Sequence, residues 1–296
     1  MSLDLTEFFQ LLFIALRQSG VYALVALGIT VIFGLTGIVK FSIGELLTIG
    51  AFLTFSFWDH NRMSYFLAVP AAALAVGLLS LLLERAAFRF TLDQPINGFI
   101  VSLGLIVVLQ NSVIEIWGTE AKSIALPFTK VWEVGGVHMP ANDWFIIWAA
   151  VGLIVGLFML LRYTKYGRAM RACAEDREAA ALMGIPVDYV IAGTFALGGM
   201  LAATAGGLLG SSQHIDVYLG STYLLKGFAV ALLGGLGNIE GAVVAAVLVS
   251  VTETMAAGYG PGEWRDGYAF GLMILVLLVR PTGLFAARGR LQQTLQ

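Results

Sequence analysis

Apolar residues run in long blocks along this chain, and charged residues gather between the blocks rather than recurring at a short period. A hydrocarbon layer roughly 30 Å thick is crossed by about 20 helical residues. The blocks that reach or approach that length are Phe8–Val39, Phe41–Trp58, Ser64–Leu83, Asn97–Trp117, Asp143–Leu161, Tyr189–Gly210, Tyr223–Ala257 and Gly267–Val279. In lipid every backbone N–H and C=O must be bonded within its own segment, so each block predicts a helix. Two blocks are too long for one pass. The first holds Arg17-Gln18-Ser19-Gly20, which predicts a short interfacial helix followed by a span from about Val21. The seventh is cut by Gly234-Gly235-Leu236-Gly237-Asn238, which predicts a turn between two passes or two half-helices. The expected fold is all-α: a polytopic helical membrane protein of about 8 transmembrane spans plus a re-entrant or split segment near Gly234–Asn238. No Pro-, Ser- or charge-rich linker interrupts residues 1–296, so one transmembrane domain is expected.

Composition narrows the function classes. The chain is 58% hydrophobic and 12% charged, with mean hydropathy +0.86, about half the charge of a soluble domain. Its 35 glycines suit helices that pack closely without a hydrophobic drive between them. A net charge of −2 excludes the basic footprint of a nucleic-acid binder. The single cysteine, Cys173, excludes an internal disulfide. The start Met1-Ser2-Leu3-Asp4-Leu5-Thr6-Glu7 is acidic where a signal peptide is basic, so the first block is expected to be retained.

Orientation follows from Lys and Arg, which collect on the inner side. With residues 162–187 placed inside, alternation also puts Lys40, Arg85 and Arg89 inside, and Arg62, Lys122, Lys130 and Arg265 outside. Arg280, Arg288 and Arg290 fall inside only if the seventh block is split. The N-terminus is then outside and the C-terminus cytoplasmic. The outer loop 118–142, with Pro127, Gly135-Gly136 and Pro140, is expected to form a small hairpin. The inner loop 162–187 is highly charged and predicts a helix from Gly167 to Met183, stopped by Gly184 and Pro186. It reads either as a docking surface for a cytoplasmic partner or as a solvated loop obeying the positive-inside rule.

Polar groups at membrane depth point to function because each is expensive there. Glu45, flanked by Ser42 and Thr48, gives the second span one polar face. Gln110 and Asn111 lie in the fourth. The readings are a polar pathway or helix–helix glue. Glu115 and Glu253 are expected near the headgroups. His60, His138 and His214 all fall in expected outer loops without ligand spacing, so no metal site is expected. Ser211-Ser212-Gln213-His214 lacks the rest of a hydrolytic constellation, so no catalytic residue is expected. No GxxxxGK[ST] occurs, so no cofactor or nucleotide is expected on this chain.

Five stretches, in order, are familiar: YALVALGITVIFGLTGIVKFSIGE from Tyr22, LGLIVVLQN from Leu103, RYTKYGRAMRACAEDREAAALMGIPVD from Arg162, GGLGNIEGA from Gly234 and RPTGLF from Arg280. Together they resemble the permease subunits of bacterial ABC importers for branched-chain amino acids, the shorter of the two permease types. The resemblance implies a permease of the bacterial inner membrane that pairs with a second, related permease. It implies two cytoplasmic ATPase subunits that bind ATP and a periplasmic substrate-binding protein. It makes the inner loop a coupling element, with Arg168, Arg171, Glu175, Asp176, Glu178, Ala179, Ala180 and Gly184 facing the ATPase. On the polar-pathway reading, Ser42, Glu45, Gln110 and Asn111 are the translocation-path residues. Where the family reads Asn-Phe-Ala-His-Gly, this chain has Lys40-Phe41-Ser42-Ile43-Gly44. Urea, short amides and aromatic acids are alternative cargoes of similar permeases. An ion-coupled secondary transporter is the rival from another class, and it would show inverted repeats.

Overall fold

The structure is a computed structural model that describes residues 5–92, 94–124, 130–134 and 136–285. Pro127, Gly135, Arg288 and Arg290 lie outside the described residues. The helices are α1 (Leu5–Thr36), α2 (Ile43–Asp59), α3 (Tyr65–Ala86), α4 (Pro95–Trp117), α5 (Ala141–Tyr163), α6 (Lys165–Glu175), α7 (Arg177–Leu182), α8 (Val187–Gly210), α9 (Leu219–Gly234), α10 (Ile239–Tyr259) and α11 (Arg265–Val279). Among the described residues, six helices are long and apolar enough to cross a membrane: α1, α3, α4, α5, α8 and α10. Helices α2, α9 and α11 are shorter, at 17, 16 and 15 residues. The chain is a multi-pass helical membrane protein.

At one end of the bundle β1 (Val131–Val134) pairs antiparallel with β2 (Val137–Pro140), Val131 opposite Pro140 and Val134 opposite Val137. This is the hairpin expected of the outer loop. Helices α6 and α7 mark the opposite end. The seventh apolar block does divide, into α9 and α10. Gly235 and Gly237 both adopt positive φ (93° and 86°), the left-handed region that costs a side chain energy. Asn238 then caps α10, its Oδ1 accepting from Gly241 N at 2.9 Å. The segment Arg280–Phe285 folds onto this turn, with Leu284 N donating to Leu233 O at 2.8 Å and Asn238 Nδ2 to Phe285 O at 2.6 Å. The split brings the end of α11 back to the α6–α7 end, as the charge pattern requires.

The first block does not break at Arg17-Gln18-Ser19-Gly20. Helix α1 is continuous for 32 residues. Its polar groups find partners that sequence alone does not reveal. Arg17 pairs with Asp143 in the first turn of α5 at 3.2 Å, Gln18 Nε2 donates to Tyr22 Oη at 3.0 Å, and Ser19 Oγ donates to Leu16 O at 2.7 Å. Arg17 is thus level with the start of α5, and the first turns of α1 extend beside the hairpin, where Gln10 and His138 bond each other.

Helices α1, α2 and α8 form the centre. From Val21 to Leu27 every residue of α1 is buried, and α8 is buried continuously from Leu201 to Gly210. Small residues permit this closeness: a methyl on Gly28 would lie 3.0 Å from Gly198 O. Helices α4 and α5 are peripheral. Only Gly98, Ser102, Leu109 and Val113 of α4 are buried.

Candidate functional site

Helix α2 begins inside the bundle. A methyl on Gly28 would lie 2.8 Å from Ile43 Cδ1, so the two residues are level. Gly28 is eleven residues below Arg17, about 16 Å at 1.5 Å per residue, close to the middle of a roughly 30 Å core. The chain therefore leaves α1 at Thr36 and climbs back through residues 37–42 before α2 starts. Backbone that is not helical is tolerated at this depth where protein surrounds it.

That re-entrant stretch carries Lys40, expected in an inner loop. The structure corrects this: Lys40 is 1% exposed. Its Nζ donates to Ser80 Oγ at 2.9 Å and lies 5.4 and 4.9 Å from the ring centres of Phe88 and Phe195. Ser80 Oγ in turn donates to Phe195 O at 2.6 Å. A hydroxyl and two ring faces replace the water that the ammonium loses.

Ser42 and Glu45 follow at the start of α2, at 0% and 1% exposure. Ser42 N donates to Ser102 Oγ of α4 at 2.9 Å, whereas Ser42 Oγ and Glu45 Oε2 are buried without any hydrogen-bond partner among the described residues. Helix α9 also starts here. A methyl on Gly44 would lie 2.6 Å from Gly220 O, and Gly220 N donates to Thr48 Oγ1 at 2.8 Å. Just below, Phe41 packs against Phe99 of α4 and Phe228 of α9, with ring centres 5.4 and 5.0 Å apart. Of the other expected path residues, Gln110 is half-buried and Asn111 is exposed on α4, its Nδ2 donating to Val107 O at 2.8 Å. The structure thus gathers Ser42 and Glu45 and leaves Asn111 on the outer face.

A second polar centre lies nearer the hairpin end. Glu253 of α10, expected near the headgroups, is fully buried at the junction of α1, α9, α10 and α11. Tyr22 Oη donates to its Oε2 at 2.8 Å. Lys226 Nζ and Arg265 Nε both donate to its Oε1, at 2.9 and 2.7 Å. Lys226 also pairs with Asp266 at 2.8 Å. Charges balance and both carboxylate oxygens are occupied. Sequence reasoning missed Lys226, although a lysine inside an apolar block was itself the available signal.

At the other end, the helix expected from Gly167 to Met183 is two helices. Asp176 adopts extended geometry and caps α7, its Oδ1 accepting from Ala179 N at 3.0 Å; this local bond competes with continuing α6. Gly167, Met170 and Cys173 of α6 face the bundle. Burial raises the Cys173 thiol above its ordinary pKa, against the opposing pull of Arg177. Arg171 donates to Leu161 O, and Arg177 to Leu35 O at 2.9 Å. Ala180 is buried, while Arg168, Glu175, Asp176, Glu178, Ala179 and Gly184 are exposed. Leu182 and Met183 stand out at 88% and 84% exposure. At the same end of the bundle a cleft of about 1610 Å³ is lined by Thr36, Arg162, Arg171, Arg177, Glu240 and Thr282, among others.

Comparison with known proteins agrees with this architecture. Residues 11–277 match the family described as branched-chain amino acid transport system / permease component. The high-affinity branched-chain amino acid transport system permease protein LivH of Escherichia coli (strain K12) is 34% identical, over 96% of this chain and 97% of that one. The corresponding BraD of Pseudomonas aeruginosa is 33% identical, over 95% and 96%. The permease LivM of Escherichia coli (strain K12) is 26% identical over 89% of this chain and 67% of its own. The chain belongs to the branched-chain amino acid transport system permease family.

Proposed function

We propose that this chain is the permease subunit of an ATP-driven importer of the inner membrane that carries branched-chain amino acids delivered by a periplasmic binding protein. It pairs with a second permease of the LivM kind, and two separate ATPase subunits bind and hydrolyse ATP; the permease itself does no catalysis and holds no cofactor. The α6–α7 end faces the cytoplasm and the hairpin end the periplasm. Ser42, Glu45 and Gln110 line the path. ATP binding draws the coupling elements together, opens the permease pair outward and admits substrate; hydrolysis resets it.

One observation carries the coupling assignment. Leu182 and Met183 are held out at the tip of α7, on a platform anchored to the bundle through Arg171 and Arg177. Large apolar residues presented to water beside the acidic Glu175, Asp176 and Glu178 suit a partner groove. Ala180 faces the bundle, so an Asp there would test packing rather than docking.

The test is the double variant Leu182→Asp, Met183→Asp in a complex reconstituted with both permeases, the ATPases and the binding protein. ATP-driven uptake of L-leucine should fall at least about tenfold while the chain stays inserted and monodisperse. Unchanged uptake would refute the assignment. Parallel assays with urea, a short amide and an aromatic acid decide the cargo, and uptake by this chain without ATPases would mean a secondary transporter instead.

A further inference from the structure

We infer that the start of α2 is an occluded binding site for a zwitterionic amino acid, with Glu45 receiving its ammonium, Ser42 Oγ, within the positive field of the first turns of α2 and α9, receiving its carboxylate, and Phe41, Phe99 and Phe228 receiving its apolar side chain. The proposal rests on the importer reading above and adds the chemistry of the path. Three observations converge on it. The first is the pair of orphaned atoms: Ser42 Oγ and Glu45 Oε2, three residues apart, are buried with no partner among the described residues. A buried acceptor left unpaired costs about 1–3 kcal/mol, more for a charge, so unmet capacity at two adjacent groups points to a ligand rather than to packing.

The second is the placing of helix ends. The first turns of α2 and α9 touch through Gly44 and Gly220 near the middle of the bundle. Helix N-termini carry a partial positive charge, and half-helices that start at mid-membrane aim that charge at anionic groups of a substrate. Ser42 N, Gly44 N and Gly220 N already bond Ser102 Oγ, Phe41 O and Thr48 Oγ1, so the helix ends offer field and the Ser42 hydroxyl offers the donor. Glu45 provides the opposite charge next to them. The third is the aromatic trio. Gly44 N donates to Phe41 O and Leu46 N to Ser42 O, both at 3.3 Å, so Phe41 is one turn before Glu45. Its ring joins those of α4 and α9 directly beneath. An apolar surface under a charged pair fits an amino acid with a hydrophobic side chain. It also closes the path below the site. The neighbouring cation, Lys40, is turned away toward Ser80 of α3 and Phe195 of α8, so it does not satisfy Glu45.

The experiment measures ATP-driven uptake of radiolabelled L-leucine by the complete complex in proteoliposomes, for wild type, Glu45→Gln and Glu45→Asp. Glu45→Gln should cut uptake at least about tenfold while ATP hydrolysis stimulated by loaded binding protein stays within about twofold, and Glu45→Asp should recover part of the loss. Uptake by Glu45→Gln within about twofold of wild type overturns the proposal. Equal loss of uptake and hydrolysis overturns it too, because it marks a structural role. If Glu45→Gln does not assemble, Phe228→Ala decides: removing part of the floor should raise ATP-independent, downhill leucine flux at least about threefold, and no leak overturns the proposal. A wild-type complex that takes up no leucine with ATP sinks the importer reading itself, a failure distinct from any difference among variants.

Discussion

Two buried glutamates divide the work of this bundle. Glu253 receives hydrogen bonds from Tyr22, Lys226 and Arg265, and Asp266 balances the remaining charge. Glu45 is equally buried, yet its Oε2 has no partner, and neither does the neighbouring Ser42 Oγ. Both carboxyls have lost water. Only one has been repaid by protein. A saturated ionic centre tolerates no change cheaply, because removing one member strands the others. An unsaturated one has least to lose in stability from neutralisation, and what is kept open there serves a function. The same residue type thus acts as a rivet joining four helices in one place and stands with an unpaired oxygen in the other.

The contrast breaks most readily at its centre. Glu253→Ala leaves Lys226, Tyr22 and Arg265 without their common acceptor and should cost about 3–5 kcal/mol, read as a collapse of the unfolding midpoint or as aggregation in detergent. Lys226→Met should cost less, about 2–3 kcal/mol, because Glu253 retains Tyr22 and Arg265; the same denaturation curve measures it. Tyr22→Phe deletes one donor and is expected near 1 kcal/mol. Smallest of all, Glu45→Gln should shift the midpoint by under about 0.5 kcal/mol or raise it, although it removes uptake. A Glu45→Gln variant that unfolds as readily as Glu253→Ala would show that the two sites are alike and that Glu45 has partners which matter to the fold.

Much of the architecture was legible before any coordinates. The apolar blocks marked the spans, Gly234-Gly235-Leu236-Gly237-Asn238 marked the α9–α10 turn, and Pro140 and Gly136 belonged to the outer hairpin. These signals are local: a block length, a glycine at positive φ, a capping Asn. What the sequence did not show shares one cause. Arg17, Lys40 and Glu253 were assigned to interfaces or loops because a charge in lipid is expensive, and the protein partners that bury them were not visible. In each case a residue distant in sequence met that cost: Asp143 for Arg17, Ser80 with two phenylalanine rings for Lys40, Tyr22 and Lys226 for Glu253. The helix break at Asp176 was missed for a different reason. A charged residue in a charged helix also had the short side chain that caps a new one.

Of the candidate path, Ser42 and Glu45 were visible as polar residues spaced along one face of α2, but the depth at which they lie was not. Sequence by itself determined the class of molecule, the order of its helices and its family, because hydrophobic run length and turn chemistry are properties of contiguous residues. Only the tertiary structure decided where α2 begins, that it meets α9 there, and which of two buried carboxylates is satisfied, because hydrogen-bond saturation depends on donors arriving from other helices, as Tyr22 of α1 does for Glu253 of α10.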